Sequence, residues 1–514
     1  MAGLAGLVLL LYFTSSHFQA ATSDSATLVL EGQSMARGQV LLHGWKLTYA
    51  SFWTSNALLD AIAISLVGLR SGLMYAGPAV VAAVAVAGGV LLAREGRRGA
   101  SAVAGGTAVA ALLVFATPSF AFFFVARGFH VATIAYALLA FFALRRGSFG
   151  WGWVAAVLLL AFGMLGDLMM VAYGVIPLFG AGLVAMVSAR RRRTGLAEST
   201  AAVAGAAVAG LGRLAFDAIG TFGADRSVSL ARTGQRITNL EHVPAYVSSL
   251  LGLTSAIVSS RGVPARIGSM DDLGWAHVFA AVLVLACLLL ALVSLIAGIV
   301  GGRHEDGGQV IWRLDNVLVI GVFCSAVPFV YLAGSRGAGA RYLLASAAFA
   351  IVLAGRMIAR AAARLPMGWS ARAAAAAGTV LALSLATGFG LAMSGPENRS
   401  PVTMLTTFLK AHGLRQGVAA YWGANLVTVA SNGAVTVRAV TASNGHVRRL
   451  EYLSSASWYG DQRFQFCLCG GSGGLGPRAA IRQWGRPKHV YAVGRYRVFV
   501  WGHLLTLSGS PEAS

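Results

Sequence analysis

Long apolar runs separated by short basic clusters fill residues 1–394. Runs able to cross about 30 Å of hydrocarbon lie approximately at 2–20, 72–93, 101–118, 130–145, 151–166, 168–188, 199–216, 274–300, 315–333, 341–363 and 371–393. The pattern therefore predicts a membrane all-α protein of about eleven transmembrane helices. Arginines gather in alternate loops: Arg94, Arg97 and Arg98, then Arg145 and Arg146, then Arg190, Arg191, Arg192 and Arg193, then Arg303 and Arg313, then Arg364 and Arg372. The positive-inside rule makes that set cytoplasmic. The N-terminus is then expected inside, and the loops 21–71 and 217–273 and everything after Ser394 outside.

Within the first outer loop, 58–69 is apolar but too short to cross and is broken by Arg70, Ser71 and Gly72. It predicts an interfacial or re-entrant helix. Trp45, Tyr49, Phe52 and Trp53 before it suit the headgroup region. The first run lacks a basic lead and ends at Gln19-Ala20-Ala21, which could serve as a signal cleavage site; a retained span is the reading favoured. Past Gly395-Pro396 the character changes: a helical pattern at 404–414, then β-branched or alternating stretches at 418–421, 426–430, 434–440 and 489–501. These predict a small soluble, extracytoplasmic (periplasmic) α/β domain over 395–514, after a membrane module over 1–394.

Composition agrees with a lipid solvent. Hydrophobic residues make up 57% and charged ones 11%, against roughly 25% charge in soluble domains. A net charge of +22 would suggest nucleic acid in a soluble chain. Here the arginines lie between apolar runs and read as topology signals, so no nucleic-acid partner is expected. Cys287 and Cys324 fall in apolar runs, and Cys467 and Cys469 form a C-x-C without the paired partners of a zinc site.

The informative residues are those whose charge is costly where it stands. Asp24 lies just past the first run and is either a functional acid or a helix cap; Glu31, seven residues on, would share its helix face. Asp167 stands between two apolar runs with Gly166 as its loop, and is either a buried functional acid or the cap of the next helix. His130 opens the fourth run beside Arg127 and could be a metal ligand, a proton carrier or an interfacial histidine; no clear metal motif accompanies it. Arg341-Tyr342 opens the tenth run after a glycine-rich loop holding Arg336. Its guanidinium could snorkel to lipid phosphates or clamp a substrate phosphate in bidentate fashion.

Taken together, Asp24, the stretch Ser55-Asn56-Ala57-Leu58-Leu59, the turn at Asp167 with Pro177 beyond it, and Arg341-Tyr342-Leu343-Leu344 resemble the GT-C superfamily of polytopic glycosyltransferases. The likeness is to bacterial members related to protein O-mannosyltransferases and aminoarabinose transferases, and it extends over nearly the whole chain. It implies transfer of a sugar, with inversion, from a polyprenyl-phosphate donor to a protein, lipid or glycan acceptor at the outer face of a bacterial cytoplasmic membrane. It also implies that Asp24 is the catalytic base or acceptor-positioning group; Asp167 is a further catalytic candidate on its own costly position. Substrate and phosphate binding would then fall to Arg341 and Tyr342, with Arg127, Arg336 and Glu31, and any metal to His130. The sequence departs from the pattern at Ser25, where many relatives carry a second acid, and at Asp167, where many carry a lysine. A transporter or lipid flippase would instead show related halves with broken helices, and no such repeat is visible. A third reading is a non-catalytic envelope scaffold, in which Tyr421, Trp422, Trp458 and Tyr459 of the tail could stack on sugars.

Overall fold

A computed structural model describes residues 2–18, 21–115, 118–128, 130–187, 191–218, 233–251, 274–301, 309–332, 339–364, 378–379, 382–383, 385–387, 390, 401–443, 445–450, 452–460, 463–470 and 475–507. The chain divides into two compact units.

The first unit holds Met1–Phe18, Pro78–Gly212 and Ser227–Pro396 and is helical in its described parts. Five helices are long and apolar enough to cross a membrane: Leu73–Arg94, which begins in the other unit, Arg192–Ala218, Val278–Ala297, Leu314–Tyr331 and Arg341–Arg364. The protein is a multi-pass membrane protein. Other expected spans come as shorter apolar helices, among them Gly3–His17, Gly99–Val114, Val131–Ala143, Trp151–Gly166 and Val171–Met186. A helix of 16 residues rises about 24 Å, less than the hydrocarbon thickness, and among the described residues five of the expected spans meet the length criterion. His130 takes a left-handed conformation at φ 62° before Val131–Ala143, and Asp167 ends Trp151–Gly166, the run expected at 151–166, in extended geometry. Past that break, the π-helical turn Val171–Val175 leads into Ile176–Met186, with Pro177 in its first turn. The last expected run, 371–393, falls almost wholly outside the described residues, as does most of the loop 217–273.

Small residues let the helices of this unit approach. A Cβ on Gly105 would lie 2.6 Å from the Gly355 carbonyl oxygen, so Gly99–Val114 and Leu344–Arg364 meet backbone to backbone there. Where the arginines gather, Arg356 donates from Nε to Asp315 at 2.6 Å and from Nη1 to the Leu92 carbonyl, and Arg360 also pairs with Asp315. Sequence reasoning did not find this ion pair.

The second unit holds Gln19–Gly77, Arg213–Arg226 and Glu397–Ser514. Its centre is a six-stranded sheet of order β3-β2-β1-β4-β6-β5, with β1 Gln416–Ala419, β2 Thr436–Ser443, β3 His446–Arg449, β4 Phe464–Cys469, β5 His489–Val493 and β6 Tyr496–Leu505. β1 runs parallel to β2 and β4, and the remaining pairs are antiparallel. Gly417 sits against the Phe466 ring, where any Cβ would overlap it. Val29, Leu30 and Trp45 of the loop 21–71 share one apolar core with Leu405, Val427, Phe466 and Val498 of the tail. Trp45 meets Trp458 edge to face at 4.8 Å.

The stretch 426–430, expected as a strand, is part of the helix Tyr421–Ala430. Nearly every residue of that helix is buried, and an unbroken buried apolar run reads alike for a strand and for an interior helix. The β pattern expected over 489–501 is a hairpin, β5 to β6, turning at Gly494 with φ 57°.

Candidate active site

In the second unit the Thr22 side chain accepts the Ser25 N–H at 3.3 Å and caps the helix Ser23–Ala36. Asp24 therefore lies inside the first turn and is not the cap, where the exposed N–H dipoles favour a carboxylate. The Tyr421 hydroxyl donates to Asp24 Oδ1 at 2.6 Å. Tyr421 is itself fixed by the same helix: Ser23 Oγ donates to its carbonyl at 2.5 Å, and Thr27 Oγ1 lies 3.4 Å from its hydroxyl. Asn425 Nδ2 in turn donates to Thr27 Oγ1 at 2.8 Å. Burial, and then the charge of Asp24, push the Tyr421 phenol far above its ordinary value, so it stays a protonated donor. Asp24 is half-buried.

Glu31 is wholly buried, and neither of its oxygens has a hydrogen-bond partner among the described residues. Asp60, on the helix Leu58–Val67, is buried with it. Burial, and secondarily the Asp60 charge, raise the Glu31 carboxyl well above the carboxylate range; burial raises Asp60 likewise. The two helices meet at Gly32, where a Cβ would stand 2.7 Å from Asp60 Cβ.

The first unit carries a separate buried constellation. Asp167 Oδ1 accepts the Met169 N–H at 3.0 Å. Its Oδ2 accepts from Thr133 Oγ1 at 2.5 Å and pairs with His130 Nδ1 at 2.7 Å. Both oxygens are thus occupied in orienting the imidazole and closing the turn. The His130 ring lies tilted against Tyr342 at 5.4 Å and edge-on to Tyr173 at 6.4 Å. Tyr173 donates to the Tyr342 carbonyl at 3.3 Å. Arg341 Nη2 donates to the Tyr342 hydroxyl at 3.0 Å, and its guanidinium lies 4.9 Å from that ring's centre. The structure so gathers His130, Asp167, Arg341 and Tyr342, which sequence reading placed one at a time. Arg127 ends the π-helical turn Phe122–Arg127, three residues before His130. Arg336 lies outside the described residues. Among the described residues no three His, Cys, Asp or Glu side chains converge as metal ligands.

Two functional candidates were missed in sequence, Asp60 and the acid-binding role of Tyr421. An acid amid an apolar interfacial stretch was the available signal for Asp60. Of the aromatic residues expected to stack on sugars, Trp458 is core beneath the Arg438 guanidinium. The Tyr459 hydroxyl donates to the carbonyls of Ala439 and Leu450. Trp422, 55% exposed, is the member of the set left at the surface. Cys467 and Cys469 are buried side by side in β4, their sulfurs 2.9 Å apart.

No protein-family model matches the chain, and neither does any curated protein sequence. Among solved structures it is similar, at 12% identity and a TM-score of 0.43, to the Archaeoglobus fulgidus oligosaccharyltransferase tethered to an acceptor peptide. The match covers 85% of this chain and 63% of that one. The same figures, with 64% of the other chain, hold for A. fulgidus AglB in complex with an inhibitory peptide and a dolichol-phosphate. This chain thus spans a little under two thirds of the oligosaccharyltransferase length. ArnT from Cupriavidus metallidurans, bound to undecaprenyl phosphate, is similar at 13% identity and a TM-score of 0.42 over 97% of both chains.

Proposed function

We propose that the protein transfers a sugar from a polyprenyl-phosphate carrier to an acceptor hydroxyl at the outer face of the cytoplasmic membrane. The observation that carries this is Asp24, a half-buried carboxylate just beyond an apolar helix, aimed by a hydrogen bond to one oxygen. Such a group is equipped to take the acceptor's proton as the hydroxyl oxygen attacks the anomeric carbon. The bond from that carbon to the phosphate oxygen breaks with inversion, and the polyprenyl phosphate leaves with the bonding electrons. Phosphate recognition is assigned to Arg341, whose guanidinium Tyr342 holds within the first unit, where the Tyr342 ring lies against His130 and its partner Asp167. The eleven-span topology, with the N-terminus inside and the C-terminal domain outside, belongs to the same proposal.

The test is radiolabelled sugar transfer from a panel of polyprenyl-phosphate sugars by membranes carrying wild type or Asp24→Asn at equal protein levels. Dolichol and undecaprenyl carriers are the first to try. Transfer by wild type should fall by on the order of 10²–10⁴-fold in the variant. Equal transfer by both would remove Asp24 from the mechanism, and no transfer from any donor would overturn the enzyme reading. The buried His130–Asp167 pair favours a second reading, a proton-coupled transporter. On that reading wild type would move a labelled lipid or solute across vesicles and transfer no sugar.

A further inference from the structure

The glycosyltransferase reading assigns no part to the C-terminal domain, yet the group bound to Asp24 comes from that domain. A carboxylate in the first turn of a helix has two free torsions, and an attacking hydroxyl needs one of its oxygens in a set place. In the second unit that constraint is supplied by Tyr421, 397 residues away in sequence. At 2.6 Å the bond has the length of an O–H donor on a charged oxygen. The donor is buried and held: Tyr421 is 8% exposed, and the residues that bond it, Ser23 and Thr27, stand one place before and three places after Asp24 on the same helix. The acid and its donor are thus referenced to one short stretch of backbone. The ring and the hydroxyl have separable uses. The ring packs edge to face on Trp422 and Tyr452 at 5.2 and 5.6 Å, whereas the hydroxyl serves Asp24 and Thr27.

We propose that Tyr421 is the positioning residue of Asp24, and that the C-terminal domain is through it a component of the catalytic site. Resting on the glycosyltransferase reading, the proposal deepens it: the phenol holds Oδ1 and leaves Oδ2 to meet the acceptor. The test uses the full-length protein in lipid nanodiscs. Tyr421→Phe keeps the ring packing, so its melting temperature should stay close to wild type. Its kcat for sugar transfer should fall on the order of 10–100-fold, with the KM for the donor within about twofold, because the donor does not touch Asp24 on this scheme. A second readout needs no activity. With 3-fluorotyrosine at position 421, the ¹⁹F resonance should move on Asp24→Asn and stay in place on Glu31→Gln. An active wild type with an unchanged kcat in Tyr421→Phe would overturn this proposal alone, as would a ¹⁹F resonance indifferent to Asp24→Asn. A wild type inactive with every donor would overturn the glycosyltransferase reading and the catalytic half of this one together.

Discussion

Two carboxyl groups inside an apolar interior work against the fold that contains them. Glu31 is wholly buried, its ordinary value of 4.5 is raised by burial and then by Asp60, and Asp60 is raised by burial. The folded protein therefore holds protons that the unfolded chain releases once pH passes about 4.5. For a group raised in this way, stability is full below the unfolded value and is lost as pH rises through the folded one. Each unit of rise is worth about 1.4 kcal/mol. Glu31→Gln keeps the shape and removes the titration. Melting curves between pH 4 and 9 should show the wild type losing stability with rising pH, and the variant gaining on it steadily and exceeding it at pH 8. A variant less stable than wild type at every pH would show that the carboxylate is a needed charge. At this scale the sequence singled out residues where charge met an apolar run, as at Asp24, Asp167, His130 and Arg341. It offered Tyr421 only as an aromatic that could stack on sugars, because nothing in the chain order links it to Asp24, 397 residues away, until the fold joins them.

Elements were legible where a single periodicity decided them. The short helix expected over 58–69, interfacial or re-entrant, stands as a helix at Leu58–Val67 and ends at Gly68 with φ 72°. The run expected at 151–166 stands as the helix Trp151–Gly166, because Asp167 interrupts the apolar sequence at one turn. Leu426–Ala430 was misread because burial on all sides erases the period of two that marks a half-buried strand. Glycines report contacts that hydropathy ignores. At Gly32 an added Cβ would stand 2.9 Å from the Ala57 carbonyl oxygen as well as against Asp60, so Gly32→Val must force Ser23–Ala36 away from Leu58–Val67. Overpacking of that kind costs about 1–3 kcal/mol. The variant should melt several degrees below wild type, whereas Gly3→Ala, with nothing within 4 Å, should not shift the curve. Equal melting of all three would mean that the two helices do not pack as closely as described.

For the whole molecule, the question is whether the C-terminal chain is an appended module or part of the unit that carries Asp24. Hydropathy suggests an appendage, since the composition changes at Gly395-Pro396. The shared core of first-loop and tail residues argues the opposite. Val29, Leu30 and Trp45 are fully or almost fully buried, in one cluster with Leu405, Val427, Phe466 and Val498. Removing the tail would put those first-loop side chains into water, at about 1.5–3 kcal/mol for each large apolar group. It would also leave Asp24 without its donor. A chain ending at residue 396 should therefore accumulate poorly in membranes, be cut by protease within 21–71 where the full chain resists, and transfer no sugar. Residues 397–514 expressed alone should aggregate, since the tail's half of that core would face solvent. A truncated chain that accumulates normally and keeps its first loop protected would show that this loop folds without the tail. The shared core would then be a docking surface between two independent domains.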